Sequence, residues 1–278
     1  MEPINVSIVL YNTQKDKLIK TMQSCLGNSK VAKLYLIDNS PADKLKELSH
    51  VDNRVVYIFT GKNLGYGKAH NIALRESLKQ KIPYHLVLNP DIYFQPEVLD
   101  ELYEFMEQNQ DVGLVMPKVC FPDGSVQYLS KLLPTPLDLV GRRFLNWGPF
   151  KSLICRRNEI YELRFTGYDK IIDAPFLSGC FMFLRVSVLE KVGMFDERFF
   201  LYCDDLDLSR RINQVSRTVF YPYCEVFHEW GRGSYKSLKM LFYHIKDAIK
   251  YFNKWGWLID KERKKTNEKT LKLNLKED

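Results

Sequence analysis

Five places in this 278-residue sequence gather side chains of the kinds that bind ligands or move protons. In YHLVLNPDIYFQPE, Tyr84 to Glu97, an apolar run is cut by Asn89-Pro90-Asp91. Asn-Pro and Pro-Asp are ordinary turn formers. In the sharper reading Pro90 fixes the approach of the Asp91 carboxylate to a divalent ion, which wants hard oxygen ligands and takes one or two carboxylates beside phosphate oxygens and water. Asp38-Asn39-Ser40 is a turn and helix cap on local grounds, or a place where Asp38 accepts a hydrogen bond from a nucleobase or ribose. In GKNLGYGKAHN, Gly61 to Asn71, Gly65 and Gly67 would let the backbone approach a phosphate at a helix amino end, with Lys62 or Lys68 adding charge. The stretch has neither the G-x-G-x-x-G nor the G-x-x-x-x-G-K-[ST] order, and a tight loop is the plain alternative. CDDLDLSRR, Cys203 to Arg211, stacks three acids where a helix dipole rewards them. If helical, it puts Asp204 on one face with Leu208 and Arg211, and turns Asp205 away. The dipole does not explain why these acids abut the aromatic FDERFFLYC. His228, in EVFHEWGRGS, is either a satisfied structural histidine or the partner of Asp91 in a metal site.

Four of these clusters follow runs that read as strands, and open α/β sheets bind ligands at the carboxyl ends of their strands. The runs are INVSIVLY from Ile4, KLYLID, RVVYIF, YHLVLN and VGLVMPKVCF, alternating with helical patterns as βαβ units do. Leu18, Ile19, Met22, Cys25 and Leu26 recur at helical spacing and stop at Gly27-Asn28. PEVLDELYEFMEQ begins with Pro96 and Glu97 at a helix amino end, which suits both. From about Ser130 to Asp173 no period is clean, and Pro134, Pro136 and the pairs Arg142-Arg143 and Arg156-Arg157 punctuate it. A segment that long reads as a functional excursion.

Hydrophobic residues make up 45% of the chain and aromatics 13%, ample for a sizeable core. Six scattered cysteines, no two closer than 21 residues, form neither a zinc ribbon nor a redox pair and suit a reducing compartment. MEPINVSIVLYN lacks the apolar length of a signal peptide and no run of 18 apolar residues occurs, so a cytoplasmic protein without a spanning helix is expected. Of the net charge of +7, residues 236–278 carry most: 12 Lys and Arg against 6 Asp and Glu, leaving 29 against 28 for the rest. The main body thus has no polyanion-binding signature, and no nucleic-acid partner is expected for it. Leu238, Leu241, Phe242, Ile245, Ala248, Ile249 and Phe252 make an amphipathic stripe among lysines. It suits an anionic membrane surface at the inner face of the cell membrane. The alternative is packing on the catalytic domain or on a second subunit, as in a homodimer.

Taken in order, VSIVLYN, LIDNS, NLGYGKAHN, LVLNPDIYF, DGSVQ, FLSGCFMFLRVSVLEKVGMFDERFFLYCDDLDLSRRI and EVFH resemble the inverting glycosyltransferases of family 2, especially their bacterial rhamnosyltransferase-like branch. The resemblance covers about residues 4–232. It implies an α/β GT-A fold, a Rossmann-like, mostly parallel central sheet flanked by helices. The catalytic domain would span 1–235, with a nucleotide-binding half to about 120 and an acceptor half from about 121, and a basic amphipathic helical tail would follow at 236–278. It also implies a nucleotide-sugar donor, dTDP-L-rhamnose or a UDP-hexose, a saccharide or lipid-linked acceptor in surface polysaccharide synthesis, and Mg2+ or Mn2+. Carried over residue by residue, Asp38 contacts the nucleobase and Asn63 with Gly65 and Lys68 lines the nucleotide pocket. Asp91 and His228 bind the metal-diphosphate beside Asn89, which stands where D-x-D has an acid. Asp205 is the catalytic base, flanked by Asp204 and Arg211 on the donor side. Asp204 replaces the family's usual Glu. The irregular 130–173 segment would form the acceptor site.

Two rivals remain. A sugar-nucleotide nucleotidyltransferase would carry a glycine-rich basic loop after the first strand, and VLYNTQKDK has no glycine. A non-catalytic carbohydrate- or nucleic-acid-binding protein would need neither Asp91 nor Asp205.

Overall fold

A computed structural model describes residues 2–141, 151–229 and 238–275. Its centre is a nine-stranded mixed sheet in the order β3-β2-β1-β4-β10-β6-β11-β5, with β8 also paired to β11. The strands are β1 (Ile4–Leu10), β2 (Val31–Asp38), β3 (Val55–Phe59), β4 (Tyr84–Leu88), β5 (Ile92–Tyr93), β6 (Val112–Cys120), β8 (Ile172–Asp173), β10 (Phe181–Arg185) and β11 (Arg217–His228); β7 (Ser130–Lys131) and β9 (Phe176–Leu177) pair apart. β1 to β4 run parallel, as the βαβ reading expects, while β10 enters antiparallel between β4 and β6.

Register decides where chemistry can happen. Leu10 of β1 faces Asp38 of β2, which faces Phe59 of β3, and Leu88 of β4 faces Phe181 of β10. The polar residues just after β2, β3 and β4 therefore share one edge with Gly179 and Cys180, just before β10. Asn89 donates its N–H to the Cys180 carbonyl at 2.9 Å.

Both faces of the sheet are covered, and alternation along β2 divides its residues between them. Leu34 and Leu36 join a core with Leu18, Met22 and Cys25 of α1 (Lys15–Leu26) and Leu99 and Leu102 of α3 (Glu97–Gln108). Tyr35 and Ile37 meet Ala69 and Ala73 of α2 (Tyr66–Lys79). A buried polar chain also ties α2 to the sheet: Ser7 bridges His70 and His85 at 2.7 and 2.8 Å, and Ser77 reaches His85 at 2.7 Å. Burial pushes both imidazoles down, so they stay neutral.

The long strand β11 pairs with β6 up to Tyr221, slips past residues 222–224, and resumes at Glu225. Pro222, with no N–H to give, sits in that bulge. The extra length carries Phe227 and His228 onto Tyr93 and Ile92 of β5.

The 130–173 segment is more regular than its sequence suggests. It holds a π-helical turn at Leu137–Gly141, helix α4 (Lys151–Tyr161) and a 3-10 turn at Arg164–Thr166. Its apolar spacing is irregular because α4 leaves Leu153 and Ile160 exposed and buries few side chains. Arg157 ties it back to Asp138 and to Thr135 Oγ1, the latter at 2.9 Å. Arg142-Arg143 lies outside the described residues.

α5 (Val186–Val192) leads on to α6 (Asp204–Asn213), the helix that begins with the acidic cluster. The tail forms α7 (Leu238–Trp255) and α8 (Lys261–Leu275). Only part of the expected stripe is open. Ala248 and Phe252, with Tyr251, pack on Leu133, Phe176, Phe199, Cys203 and Leu206, whereas Leu238 and Phe242 are 86% and 62% exposed. On α8, Asn267 exchanges two hydrogen bonds with the backbone of Leu133, at 2.8 and 2.9 Å, and Arg263 donates to the Pro134 carbonyl. The tail is thus docked on the body; the boundary expected at 235 falls outside the described residues. Among the described residues no helix is long and apolar enough to cross a membrane.

Candidate functional site

Asp91 and His228, far apart in sequence, meet because β5 begins directly after Asp91 and pairs with the end of β11. His228 Nε2 lies 3.3 Å from Asp91 Oδ1, and Glu229 donates its N–H to the Asp91 carbonyl at 3.0 Å. The histidine's tautomer follows from its other neighbour. Gln127 Nε2 donates to the carbonyls of His228 and Cys120, so its Oε1 must face His228 Nδ1, at 3.1 Å, and accept a proton from it. Nε2 is then the nitrogen aimed at the Asp91 carboxylate, an arrangement that needs a proton or a cation between them. Burial works against the charged ring, but hydrogen bonds to Asp91 and Cys180 outweigh it and raise the pKa to about 9.

That geometry also tests the expected Mg2+ or Mn2+. A partly exposed carboxylate and an imidazole whose Nε2 faces it, with Nδ1 fixed by a neighbouring amide, are a familiar ligand pair. Among the described residues no group of three or more His, Cys, Asp or Glu side chains is arranged to hold a metal ion by itself. The pair suits an ion that completes its shell with phosphate oxygens and water.

The second centre is the start of α6. Cys203 adopts a left-handed conformation, φ 63°, and turns the chain into Asp204 and Asp205. Asp204 is buried, and its Oδ2 accepts the Gly67 N–H at 2.9 Å. Asp205, part exposed, accepts the Gly179 N–H at 2.8 Å and the Leu206 N–H at 2.8 Å. Burial pushes both carboxyls up, and at Asp204 the Asp205 charge pushes further, so the pair holds its last proton late.

Tyr66 joins the two centres, and sequence reasoning missed it. Its hydroxyl donates to the Gly179 carbonyl at 2.6 Å and lies 3.2 Å from Asn89 Oδ1. Gly179 holds Asp205, and Asn89 adjoins Asp91. Burial raises the phenol far above its ordinary range, so it remains a neutral donor. A tyrosine between two glycines of a strand-end loop was the one available signal. Cys180 and Gln127 gave none, because their roles exist only once distant strands pair.

The other expected residues are placed as follows. Asp38 is buried, with Oδ1 accepting the Ser40 N–H at 2.9 Å and Oδ2 the Tyr57 hydroxyl at 2.5 Å. Both oxygens thus already accept a hydrogen bond from the protein, which shapes the turn. Asn39 donates to the Gly65 carbonyl, and Asn63 Oδ1 accepts the Gly65 N–H, each at 2.9 Å. Gly65 (φ 88°) makes room for the protein itself: a Cβ there would stand 2.3 Å from the Phe200 carbonyl oxygen. Lys68 pairs with Glu197 at 3.0 Å. Arg211, expected on the donor side, is a structural clamp: it binds Asp207 at 2.8 Å and donates to the carbonyls of Val192, Gly193 and Met194.

With this geometry in hand, comparison with known proteins is specific. The family model for glycosyl transferase family 2 matches residues 6–193. The N-acetylglucosaminyl-diphospho-decaprenol L-rhamnosyltransferase of Mycobacterium tuberculosis is 29% identical over 178 residues, which are 61% of this chain and 57% of that protein. Rhamnosyltransferase WbbL of Escherichia coli is 24% identical over 254 residues, 88% of this chain and 90% of WbbL. Thus the match spans little more than half of the mycobacterial protein's length. Among solved structures, GalNAc-T7 with UDP, GalNAc and Mn2+ superposes with a TM-score of 0.60 at 15% identity, covering 82% of this chain and 43% of that one. That likeness is one of fold, the GT-A arrangement.

Proposed function

The chain belongs to glycosyl transferase family 2, and from that premise we propose that it transfers a sugar, with inversion, from a nucleotide-diphosphate donor to a saccharide or lipid-linked saccharide acceptor. The observation that carries the proposal is the single sheet edge that holds Asp91 with His228 and, through Tyr66 and Gly179, the partly exposed Asp205. The named relatives favour an L-rhamnosyl donor, dTDP-L-rhamnose, over a UDP-hexose.

A sugar hydroxyl is a weak nucleophile at neutral pH, so a carboxylate must take its proton as the new bond forms. Asp205 fills that role. Each of its oxygens accepts one backbone N–H, which fixes the carboxylate's plane and leaves lone pairs for an acceptor hydroxyl. The acceptor oxygen bonds to the anomeric carbon on one face while the bond to the diphosphate breaks on the other, through an oxocarbenium-like state. A divalent cation bound to Asp91 and His228 would offset the charge of the departing diphosphate. Asn89, held by Tyr66, supplies an amide oxygen or N–H at the donor side of the same turn.

The 130–173 segment, whose β7 adjoins β9 ahead of Gly179, is the proposed acceptor wall; exchanging it between relatives would change acceptor use and leave donor choice alone. The exposed Leu238 and Phe242, among the lysines of α7, are the proposed contact with an anionic membrane bearing a lipid-linked acceptor.

Incubation with a panel of nucleotide sugars and Mn2+ tests the transfer reading through release of free nucleoside diphosphate. Asp205→Asn is expected to lose on the order of 10²–10⁴-fold in kcat and to bind nucleoside diphosphate as wild type does. A variant that kept most of its kcat would remove Asp205 from the mechanism.

A further inference from the structure

Helix α7 sends one acid into the interior. Asp247 is fully buried, and its Oδ2 accepts the backbone N–H groups of Phe200, Leu201 and Tyr202 at 3.0, 3.0 and 3.2 Å. Its Oδ1 pairs with Lys250 at 2.8 Å, and Lys250 also donates to the Arg198 carbonyl. One carboxylate and one ammonium therefore grip the backbone of residues 198–202. Hydrogen bonds to a charged acceptor are shorter and stronger than neutral ones, so this loop is held in one arrangement.

What the loop touches is the site. The Phe200 carbonyl accepts the Tyr66 N–H at 2.8 Å, an approach that Gly65 alone permits. Tyr66 in turn holds Gly179 and Asn89. At its other end the loop runs into Cys203, whose left-handed backbone is uncommon for a residue with a Cβ and has to be imposed by its surroundings. Asp204 and Asp205 follow at once.

From this geometry we infer that Asp247 is a positioning residue for the transfer. It touches neither donor nor acceptor; it fixes the loop that seats Tyr66 and aims the first turn of α6. The inference rests on the proposed transfer reaction and extends its machinery into the C-terminal helix, where no sequence motif pointed.

A neighbouring anchor provides the control. Arg210 and Asp260 make a two-armed ion pair at 2.8 and 2.8 Å between side chains that are nearly buried, yet Asp260 makes no hydrogen bond to residues 198–202. In the full chain, Asp247→Asn, Lys250→Met and Asp260→Asn are compared for Tm, kcat on a donor that wild type turns over, Kd for the nucleoside diphosphate, and hydrogen exchange of the 200–206 amides.

Misaligning a base by about an ångström costs on the order of 10²-fold. Asp247→Asn is therefore expected to lower kcat roughly 10- to 100-fold, with nucleoside diphosphate Kd nearly unchanged and faster exchange at Phe200 to Tyr202. Lys250→Met shifts both readouts the same way by less. Asp260→Asn, at an equal or larger loss of Tm, keeps most of its kcat. The inference is overturned if Asp247→Asn and Lys250→Met both retain wild-type kcat, or if kcat in all three variants simply follows Tm. Should Asp247→Asn not fold, Lys250→Met decides by the same criterion. A wild-type protein that released nucleoside diphosphate from no donor would instead defeat the transfer reading, and the exchange comparison would still decide whether Asp247 holds the loop.

Discussion

At the scale of single residues, the site is governed by two charges placed where water is scarce. Asp204 and Asp205 sit side by side, and burial together with their mutual repulsion raises the pH at which the second proton leaves. The base works only when ionised, so kcat is expected to rise with pH across an acid limb lying above the ordinary carboxylate range. Burial raises Asp205, whereas Asp204, raised by burial and by the Asp205 charge, keeps its proton longer and is neutral while Asp205 ionises. Asp204→Asn should therefore leave the acid limb in place with Asp205 still competent; a pH–kcat series on both proteins measures it, and a limb that moved to lower pH would show that an Asp204 charge also holds Asp205 protonated. His228 obeys the opposite sign. Its raised pKa, about 9, favours the folded protein below the ordinary histidine range, and that contribution fades as pH climbs through 9. Asp91 and His228 were legible in the sequence as types, because each ends an apolar run. Their pairing entered only as one of two readings of His228 and through the family resemblance, since it depends on a bulge at 222–224 and a two-residue strand that no local pattern announces.

Secondary elements explain why some motifs mean something different from what their letters suggest. The glycines at 65 and 67 read as a phosphate cradle, yet their missing side chains accommodate Phe200, Phe195 and Asp204. The loop welds α2 to the start of α6. Gly65→Ala would therefore combine a left-handed backbone, costing about 1–2 kcal/mol, with a clash against the Phe200 carbonyl. A fall in Tm of several degrees is expected on differential scanning calorimetry, with loss of activity. A normal Tm would show that the loop can move aside. The strands of the first half were plain in the sequence because their alternation and β-branching are local signals. α4 was hidden because its exposed face carries Leu153 and Ile160, which blurs the period. Lys68 and Arg211 looked like ligands for a diphosphate because sequence shows a cation but not its partner. Glu197 holds one, and Asp207 with three carbonyls holds the other.

In the molecule as a whole, the C-terminal helices are docked on the body that carries the candidate site. Trp255 donates to Asp207 at 2.8 Å, Lys254 reaches both Asp207 and Asp196, and Arg210 stacks 4.1 Å from the Trp255 ring. The amphipathic stripe seen in the sequence is thus divided: Ala248 and Phe252 lie against the protein, and Leu238, Phe242 and Ile249 stay open. Amphipathicity shows that a helix has an apolar face, not what covers it. Removing the tail would unseat the site, so membrane contact is better tested in the full chain with Leu238→Ser and Phe242→Ser together. Flotation with anionic liposomes should fall while Tm and donor turnover hold; equal flotation would exclude this end of α7 as the contact.

The same docking sets an order of events during synthesis. Asp91, His228 and Asp205 are all translated before the chain reaches Asp247, and a ribosome adds roughly 5–20 residues per second. For the few seconds in between, the nascent protein carries its acids and its histidine without the helix that seats the 198–202 loop. On the inference that Asp247 seats this loop, competence waits for α7, which is made after every residue expected to touch substrate.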